Sequence, residues 1–134
     1  MSSATPVVFI VDDDVSVRES LELLIESAGW QSQTFASAQE FLSHQPFEAG
    51  PSCLVLDVNP DFTGLELQQS LALDRRDLPV ILISGNDVGE ATVRAVKTGV
   101  VAFLMKPLDA DALLRAIEHA IGRSRATLDR EGEE

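Results

Sequence analysis

Charged and hydroxyl side chains follow four apolar runs of this sequence, each at the point where the run ends. In chain order these residues are Asp12 with Asp13, then Asp57, Ser84 and Lys106. Carboxylates that lie close together repel one another unless a cation joins them, and Mg²⁺ takes oxygen ligands while keeping several waters. A free carboxylate beside such a cation, with a lysine and a hydroxyl nearby, can act as a nucleophile on a phosphoryl group. The residue types therefore predict phosphoryl-transfer chemistry on Asp57, provided that the fold brings these run ends together.

The apolar runs themselves predict strands that are buried on both faces. The runs over 7–11, 53–56 and 79–83 show no alternation of apolar and polar residues, which is typical of central strands in a parallel sheet. The apolar run over 100–105 predicts a further strand. A fifth segment, over 30–35, is more polar and predicts a strand at the sheet edge. Because ligands bind outside the carboxyl ends of parallel strands, the residues that end these runs should share one edge of the sheet.

Five predicted helices alternate with the five strands. Ser16 and Ser37 each precede a glutamate by three residues, which is the capping-box pattern of a helix start, and Gly29 suits the end of the first helix. The remaining helices are predicted over 65–73, over 87–98 and after the capping residue Asp109. This alternation predicts an α/β domain in which helices cover both faces of a parallel sheet.

Length, composition and charge exclude several functional classes. A chain of 134 residues with 45% hydrophobic content predicts one globular domain, and its net charge of −12 argues against direct nucleic-acid binding. Since no apolar run could span a bilayer and the first residues lack the charged-then-apolar pattern of a signal peptide, we expect a cytoplasmic protein without a membrane partner. Cys53 lies in an apolar run and should be a core residue. His44 and His119 should lie on helix surfaces.

These residues together resemble the receiver domain of two-component response regulators, over nearly the whole chain from residue 7 to about 121. Val11-Asp12-Asp13 is similar to the acidic pair of that family, and Lys106-Pro107 is similar to its lysine followed by proline. The segments over 64–67 and 103–107 are most similar to the FixJ-type transcriptional regulators. The resemblance implies a doubly wound (βα)5 fold with the flavodoxin-like strand order 2-1-3-4-5.

The resemblance also implies a role for each site residue. Asp57 would accept a phosphoryl group from a sensor histidine kinase. Mg²⁺ would be held by Asp13, Asp57 and the backbone carbonyl of Asn59. Asp12 would contribute through water, and Lys106 would contact the phosphoryl oxygens. Such a domain is not an enzyme in its own right, but a signalling domain that assists its own phosphotransfer and dephosphorylation.

Ser84 and Phe103 would form the switch of such a domain. Ser84 would donate to the phosphoryl group, and Phe103 would turn inward as a consequence, altering the surface of the last two helices and the last strand. That surface would bind either a DNA-binding output domain outside this chain or a second copy of the receiver domain. We expect the receiver domain to span 1–122, followed by a helix extension or linker over 123–134.

One departure from the family pattern concerns the loop after Asp57. The family usually has Asp-x-x-Met-Pro-x-x-x-Gly, whereas the segment from Asp57 to Gly64 is one residue shorter and lacks the methionine. We therefore expect slower or weaker phosphorylation than in an ordinary receiver. The main alternative is a degenerate receiver that acts only as a protein-interaction module. A flavodoxin-like cofactor binder would need a glycine-rich phosphate loop after the first strand, and a haloacid dehalogenase phosphatase would need an acid where Asn59 stands.

Overall fold

The computed structural model describes residues 6–43, 51–58, 78–84, 100–105 and 107–132. Its strands are β1 (Val7–Val11), β2 (Gln31–Phe35), β3 (Ser52–Val58), β4 (Val80–Ser84) and β5 (Val100–Met105). Its helices are α1 (Val15–Ser27), α2 (Ala38–Ser43) and α3 (Ala110–Gly132). The helices predicted over 65–73 and 87–98 lie outside the described residues. No helix within the described ranges is both long and apolar enough to cross a membrane.

The five strands form one parallel sheet in the order β2-β1-β3-β4-β5, which confirms the predicted topology. The polar strand β2 occupies an edge, as its composition indicated, because an edge strand has one neighbour and meets solvent along the other side. The apolar strands β1, β3 and β4 lie inside the sheet. In β3 and β4, every residue from Ser52 to Asp57 and from Val80 to Ile83 is buried.

Helices cover both faces of the sheet, and alternate residues of each strand point to opposite faces. Phe9, Leu54 and Leu82 face α2, and the cluster there includes Phe41 of that helix. The other face packs against α1 and α3, and its buried residues include Val8, Ile10, Val55, Ile81, Ile25, Leu113 and Ile117. Each face of the sheet thus packs into a separate hydrophobic core, which explains why the central strands are apolar on both faces.

The starts of the helices confirm two capping predictions and correct a third. Helix α1 begins two residues earlier than the Ser16 capping box predicted, because Asp14 is the N-cap and accepts hydrogen bonds from the backbone N–H groups of Ser16 and Val17. A carboxylate placed two residues upstream satisfies the same orphan N–H groups, so the serine is left inside the helix. Ser37 caps α2 and Asp109 caps α3 as predicted.

Gly29 ends α1 in the way that the sequence predicted. Its φ of 99° lies in the left-handed region, which glycine adopts without a Cβ clash. The N–H of Gly29 donates to the Glu26 carbonyl at 3.0 Å, and that of Trp30 donates to the Ile25 carbonyl at 3.4 Å. These two bonds form a Schellman motif, which turns the chain from α1 into β2.

The C-terminal helix α3 continues through the segment that was expected to be an extension or linker. Ser124 is only 3% exposed, and its hydroxyl accepts a hydrogen bond of 3.0 Å from the backbone N–H of Ser52. The helix is thus attached to the start of β3 beyond residue 122. Where the domain ends functionally, whether after 122 or later, stays a prediction.

Candidate functional site

The strand register aligns the predicted site residues along the carboxyl edge of the sheet. The last paired residues of β1 and β3 are Val11 and Leu56, so Asp12 and Asp57 are the next residues on these adjacent strands. Ser84, the last residue of β4, pairs with Val58 on one side and with Met105 on the other. The sheet edge therefore brings together the positions that follow three of the apolar runs, and the fourth run ends beside Ser84, at Met105.

The carboxylates of Asp12 and Asp57 are both buried. Asp12 is 1% exposed and Asp57 is 7% exposed. Asp57 continues the row formed by Cys53 and Val55, so it belongs to the face that packs against α1 and α3. Burial of a charged carboxylate is unfavourable unless hydrogen bonds or an opposite charge compensate it, and Asp12 has such a hydrogen bond from the Asp14 N–H.

The three consecutive aspartates after β1 have different environments. Asp12 Oδ1 accepts from the Asp14 N–H at 2.9 Å, which closes a tight turn over the acidic run. The carboxylate of Asp14 caps helix α1. Asp13 is exposed. The sequence predicted Asp12 and Asp13 as the acidic pair and assigned no role to Asp14. In the structure the side chain of Asp12 belongs to the turn, that of Asp14 caps the helix and that of Asp13 is exposed.

Arg18 contacts this loop, and the sequence analysis missed it. Its Nη1 donates to the backbone carbonyl of Asp12 at 2.7 Å, from one turn inside helix α1. Helix periodicity could have suggested the contact, because a long side chain in the first turn of a helix points back toward the residues before its N-terminus. A lone arginine in an amphipathic helix is usually a surface residue, so the pattern carried no clear signal.

The described carboxylates fit a hydrated magnesium ion better than a metal enclosed by protein ligands. Across the described ranges, no group of three or more His, Cys, Asp or Glu side chains is placed to hold a metal ion. Mg²⁺ requires few such groups, since it is usually bound by one or two carboxylates and keeps several waters. Asp12 and Asp57, buried on adjacent strand ends, supply the oxygen donors that this cation prefers.

Several predicted site residues lie outside the part of the chain that the structure describes. Asn59, the predicted carbonyl ligand, and Lys106 are among them, as is the shortened loop up to Gly64. For Ser84 and Phe103 the structure describes the backbone, within β4 and β5. The roles assigned to all four residues stay predictions.

Two predictions about other titratable residues are confirmed. Cys53 is fully buried, and burial raises the pKa of its thiol to about 12. A thiol with so high a pKa carries almost no thiolate near neutral pH, so Cys53 is a core residue and not a nucleophile. His119 is exposed on α3, as expected. His44 lies outside the described residues.

Comparison with known proteins identifies the family of this chain. The family model described as "Response regulator receiver domain" matches residues 8–118. Nodulation protein W of Bradyrhizobium diazoefficiens is 42% identical over 125 residues, which cover 92% of this chain and 55% of that protein. This chain spans about half the length of the curated relatives that it matches.

Solved structures agree with this result. The response regulator StyR is 42% identical with a TM-score of 0.85, over 97% of this chain and 66% of that one. Full-length FixJ from B. japonicum is 32% identical with a TM-score of 0.81, over 98% of this chain and 64% of that one. The family match, the sheet order and the acidic carboxyl edge show that this chain belongs to the response regulator receiver domains, the signalling domains of two-component systems.

Proposed function

We propose that this receiver domain accepts a phosphoryl group on Asp57 from a phosphohistidine of a sensor histidine kinase. An Oδ of Asp57 would form the new O–P bond as the N–P bond to the kinase imidazole breaks. The observation that supports this most directly is the position of Asp57, a buried carboxylate at the carboxyl end of the central strand β3, beside Asp12 on β1.

The acidic edge would hold Mg²⁺ during this transfer. Asp13, Asp57 and the Asn59 carbonyl are the proposed ligands, and Asp12 would act through water. When bound, the cation offsets negative charge on the phosphoryl oxygens. The hydrogen bond from the Asp14 N–H to Asp12 Oδ1 supports this proposal, because it restrains the acidic run at the end of β1.

Intact-mass measurement tests the acceptor. Incubation with acetyl phosphate and Mg²⁺ should add one phosphoryl group to the wild-type chain, and Asp57→Asn should remove all of this labelling because the nucleophilic oxygen is lost. Asp111→Asn is the matched control, since Asp111 is an exposed aspartate on α3. Full labelling of the Asp57→Asn variant would refute the acceptor assignment.

The same measurement decides between the proposal and a degenerate receiver. The shortened loop after Asp57 is the feature that favours the degenerate form, and it leads us to expect slower labelling than in an ordinary receiver. A wild-type chain that takes up no phosphoryl group from acetyl phosphate or from a kinase would be an interaction module, and the phosphoacceptor function would be wrong.

The output of the signal would be a protein surface and not a reaction. The relatives that this chain matches include proteins named as transcriptional regulators, and the chain covers about half of their length. We propose that phosphorylation prepares the surface around β5 and α3 for a DNA-binding output domain or for a second copy of the receiver. The domain would carry its signal to cytoplasmic partners, without direct contact with nucleic acid.

Ser84 and Phe103 would couple the phosphoryl group to that surface. Ser84 lies at the carboxyl end of β4, and Phe103 pairs with Leu82 of that strand. We expect beryllofluoride, a phosphoryl mimic, to shift self-association in analytical ultracentrifugation for the wild type and to have no such effect on Ser84→Ala. Identical responses of the two proteins would show that Ser84 does not carry the signal.

A further inference from the structure

We infer that Arg18 is a positioning residue that fixes the backbone of the acidic pair Asp12–Asp13 for Mg²⁺. Its guanidinium Nη1 donates to the Asp12 carbonyl at 2.7 Å. The distance is typical of a charge-assisted hydrogen bond, which is shorter and stronger than a bond between neutral groups. The inference rests on the proposed function, because it assigns Arg18 a role at the proposed metal site.

A hydrogen bond to the Asp12 carbonyl restrains the backbone of both residues of the acidic pair. It belongs to the planar peptide group that joins Asp12 to Asp13, so a bond to its oxygen restrains the Cα atoms of both residues. On its other side, the N–H of Asp12 donates to the Phe35 carbonyl of β2 at 3.1 Å. The backbone of Asp12 is thus held from two elements, β2 and α1, and the backbone of Asp13 is restrained with it.

Arg18 is itself fixed relative to the loop. Its backbone N–H donates to the Asp14 carbonyl at 3.0 Å, in the first turn of α1. One residue therefore binds the acidic run at two points, Asp14 through its main chain and Asp12 through its side chain. Since Asp14 Oδ1 caps the same helix, the loop and the first turn of α1 form a single hydrogen-bonded unit.

The charge of Arg18 and its hydrogen bond have opposite consequences for a cation. A guanidinium remains protonated at every working pH, so its positive charge weakens the binding of Mg²⁺ nearby. The bond to the Asp12 carbonyl strengthens that binding, because a fixed loop has less conformational freedom to lose when the metal binds. We expect the hydrogen bond to have the larger effect. Arg18→Ala should therefore bind Mg²⁺ more weakly than wild type, although it removes a positive charge.

The experiment measures the Mg²⁺ dissociation constant of the full chain by calorimetry for wild type, Arg18→Lys and Arg18→Ala. We expect Arg18→Ala to bind about ten-fold more weakly, the smaller of the losses that follow removal of a group supporting a metal ligand. Arg18→Lys keeps the charge and a donor but lacks the planar fork, so it should fall between the two. Arg125→Ala is the control, since Arg125 is an exposed arginine of α3.

A second readout needs no metal. In the absence of Mg²⁺, the amide of Asp14 should exchange faster in Arg18→Ala than in wild type, because the turn that protects it is no longer anchored. The amides of Leu54 and Val55 in the sheet should exchange at the wild-type rate, which also shows that the variant is folded. Equal exchange at Asp14 in both proteins would overturn the inference.

The outcomes separate this inference from the proposed function. If the wild type binds Mg²⁺ and Arg18→Ala binds it equally or more tightly, Arg18 is not a positioning residue and the metal site stands. If the wild type itself shows no Mg²⁺ binding, the proposed metal site is refuted, and a role of Arg18 toward metal is refuted with it.

Discussion

The two ends of strand β3 are both buried and both polar, but the fold treats them differently. At its start, the N–H of Ser52 donates to the hydroxyl of Ser124, a residue 72 positions away on helix α3. At its end, Asp57 is the residue after Leu56, which pairs with Val11 of β1, and Asp12 is the residue after Val11. Asp12 and Asp57 are both buried. The first end joins two neutral groups, and the second brings together two groups of the same charge.

This difference shows how one strand can serve both stability and function. A buried neutral N–H is satisfied by one acceptor, so the Ser52 end of the strand needs no ligand to be stable. Two carboxylates at neighbouring strand ends repel each other, so a cation bound at that edge would stabilise the folded state. Substitutions at the Ser52 end should therefore change only the free energy of unfolding. Substitutions at the Asp57 end should change both the free energy of unfolding and the binding of Mg²⁺.

The largest effect that we expect concerns Cys53, the ionisable group beside the Ser52 end. Burial raises the pKa of its thiol from 9.0 to about 12, so the folded state favours the protonated form. The stability due to this effect is complete below pH 9 and is lost as the pH rises toward 12, since the unfolded chain loses the proton first. Between pH 8 and pH 10.5 the free energy of unfolding should fall by about 2 kcal/mol more in wild type than in Cys53→Ala.

Urea unfolding followed by Trp30 fluorescence measures this difference, because Trp30 packs against the core on the α1 and α3 face. The sequence contains no tyrosine, so no phenol titrates in the same range. Parallel pH profiles for wild type and Cys53→Ala would contradict the burial of the thiol.

The next effect concerns the hydroxyl that satisfies the start of β3. Ser124→Ala leaves the buried N–H of Ser52 without its acceptor, which should lower the free energy of unfolding by about 1.5 kcal/mol. The Mg²⁺-induced rise in melting temperature should remain, because this end of the strand does not face the ligand. Ser27→Ala is the control, since Ser27 is an exposed helical serine whose loss should cost less than about 0.5 kcal/mol. Equal losses for the two variants would remove the contrast between the ends.

The smallest effect that we expect is the difference in stability, without metal, between variants of the buried Asp57 and of the exposed Asp13. Without metal, Asp57→Asn should raise the free energy of unfolding by about 1 kcal/mol, because it removes the repulsion between the charges of two buried aspartates on neighbouring strand ends. Asp13→Ala should change it by less than about 0.5 kcal/mol, since Asp13 is exposed. Both variants should lose most of the Mg²⁺-induced stabilisation in a thermal melt. An Asp13→Ala variant that keeps it would show that Asp13 is not a ligand.

The capping residues show where local sequence is a sufficient guide and where it is not. Ser37 was correctly predicted as a cap because no other short polar side chain competes at that helix start. Asp109 was correctly predicted although Asp111 follows it by two residues. At α1, Asp14 and Ser16 both match the pattern, and the carboxylate of Asp14 takes the N–H groups. Two valid local solutions cannot be ranked by propensity, and here the turn from β1 decides, since Asp12 already holds the Asp14 N–H.

The sequence by itself determined the layered α/β fold, the edge position of β2 and the residues that end each apolar run. Hydrophobic periodicity carries this information, because burial on one or both faces of a strand leaves a pattern in neighbouring residues. Only the tertiary structure decided which of three adjacent aspartates is buried, that Arg18 holds the Asp12 carbonyl, and that Ser124 completes the start of β3. Each of these depends on the distance between atoms of separate elements, and that distance is fixed by packing and not by local sequence.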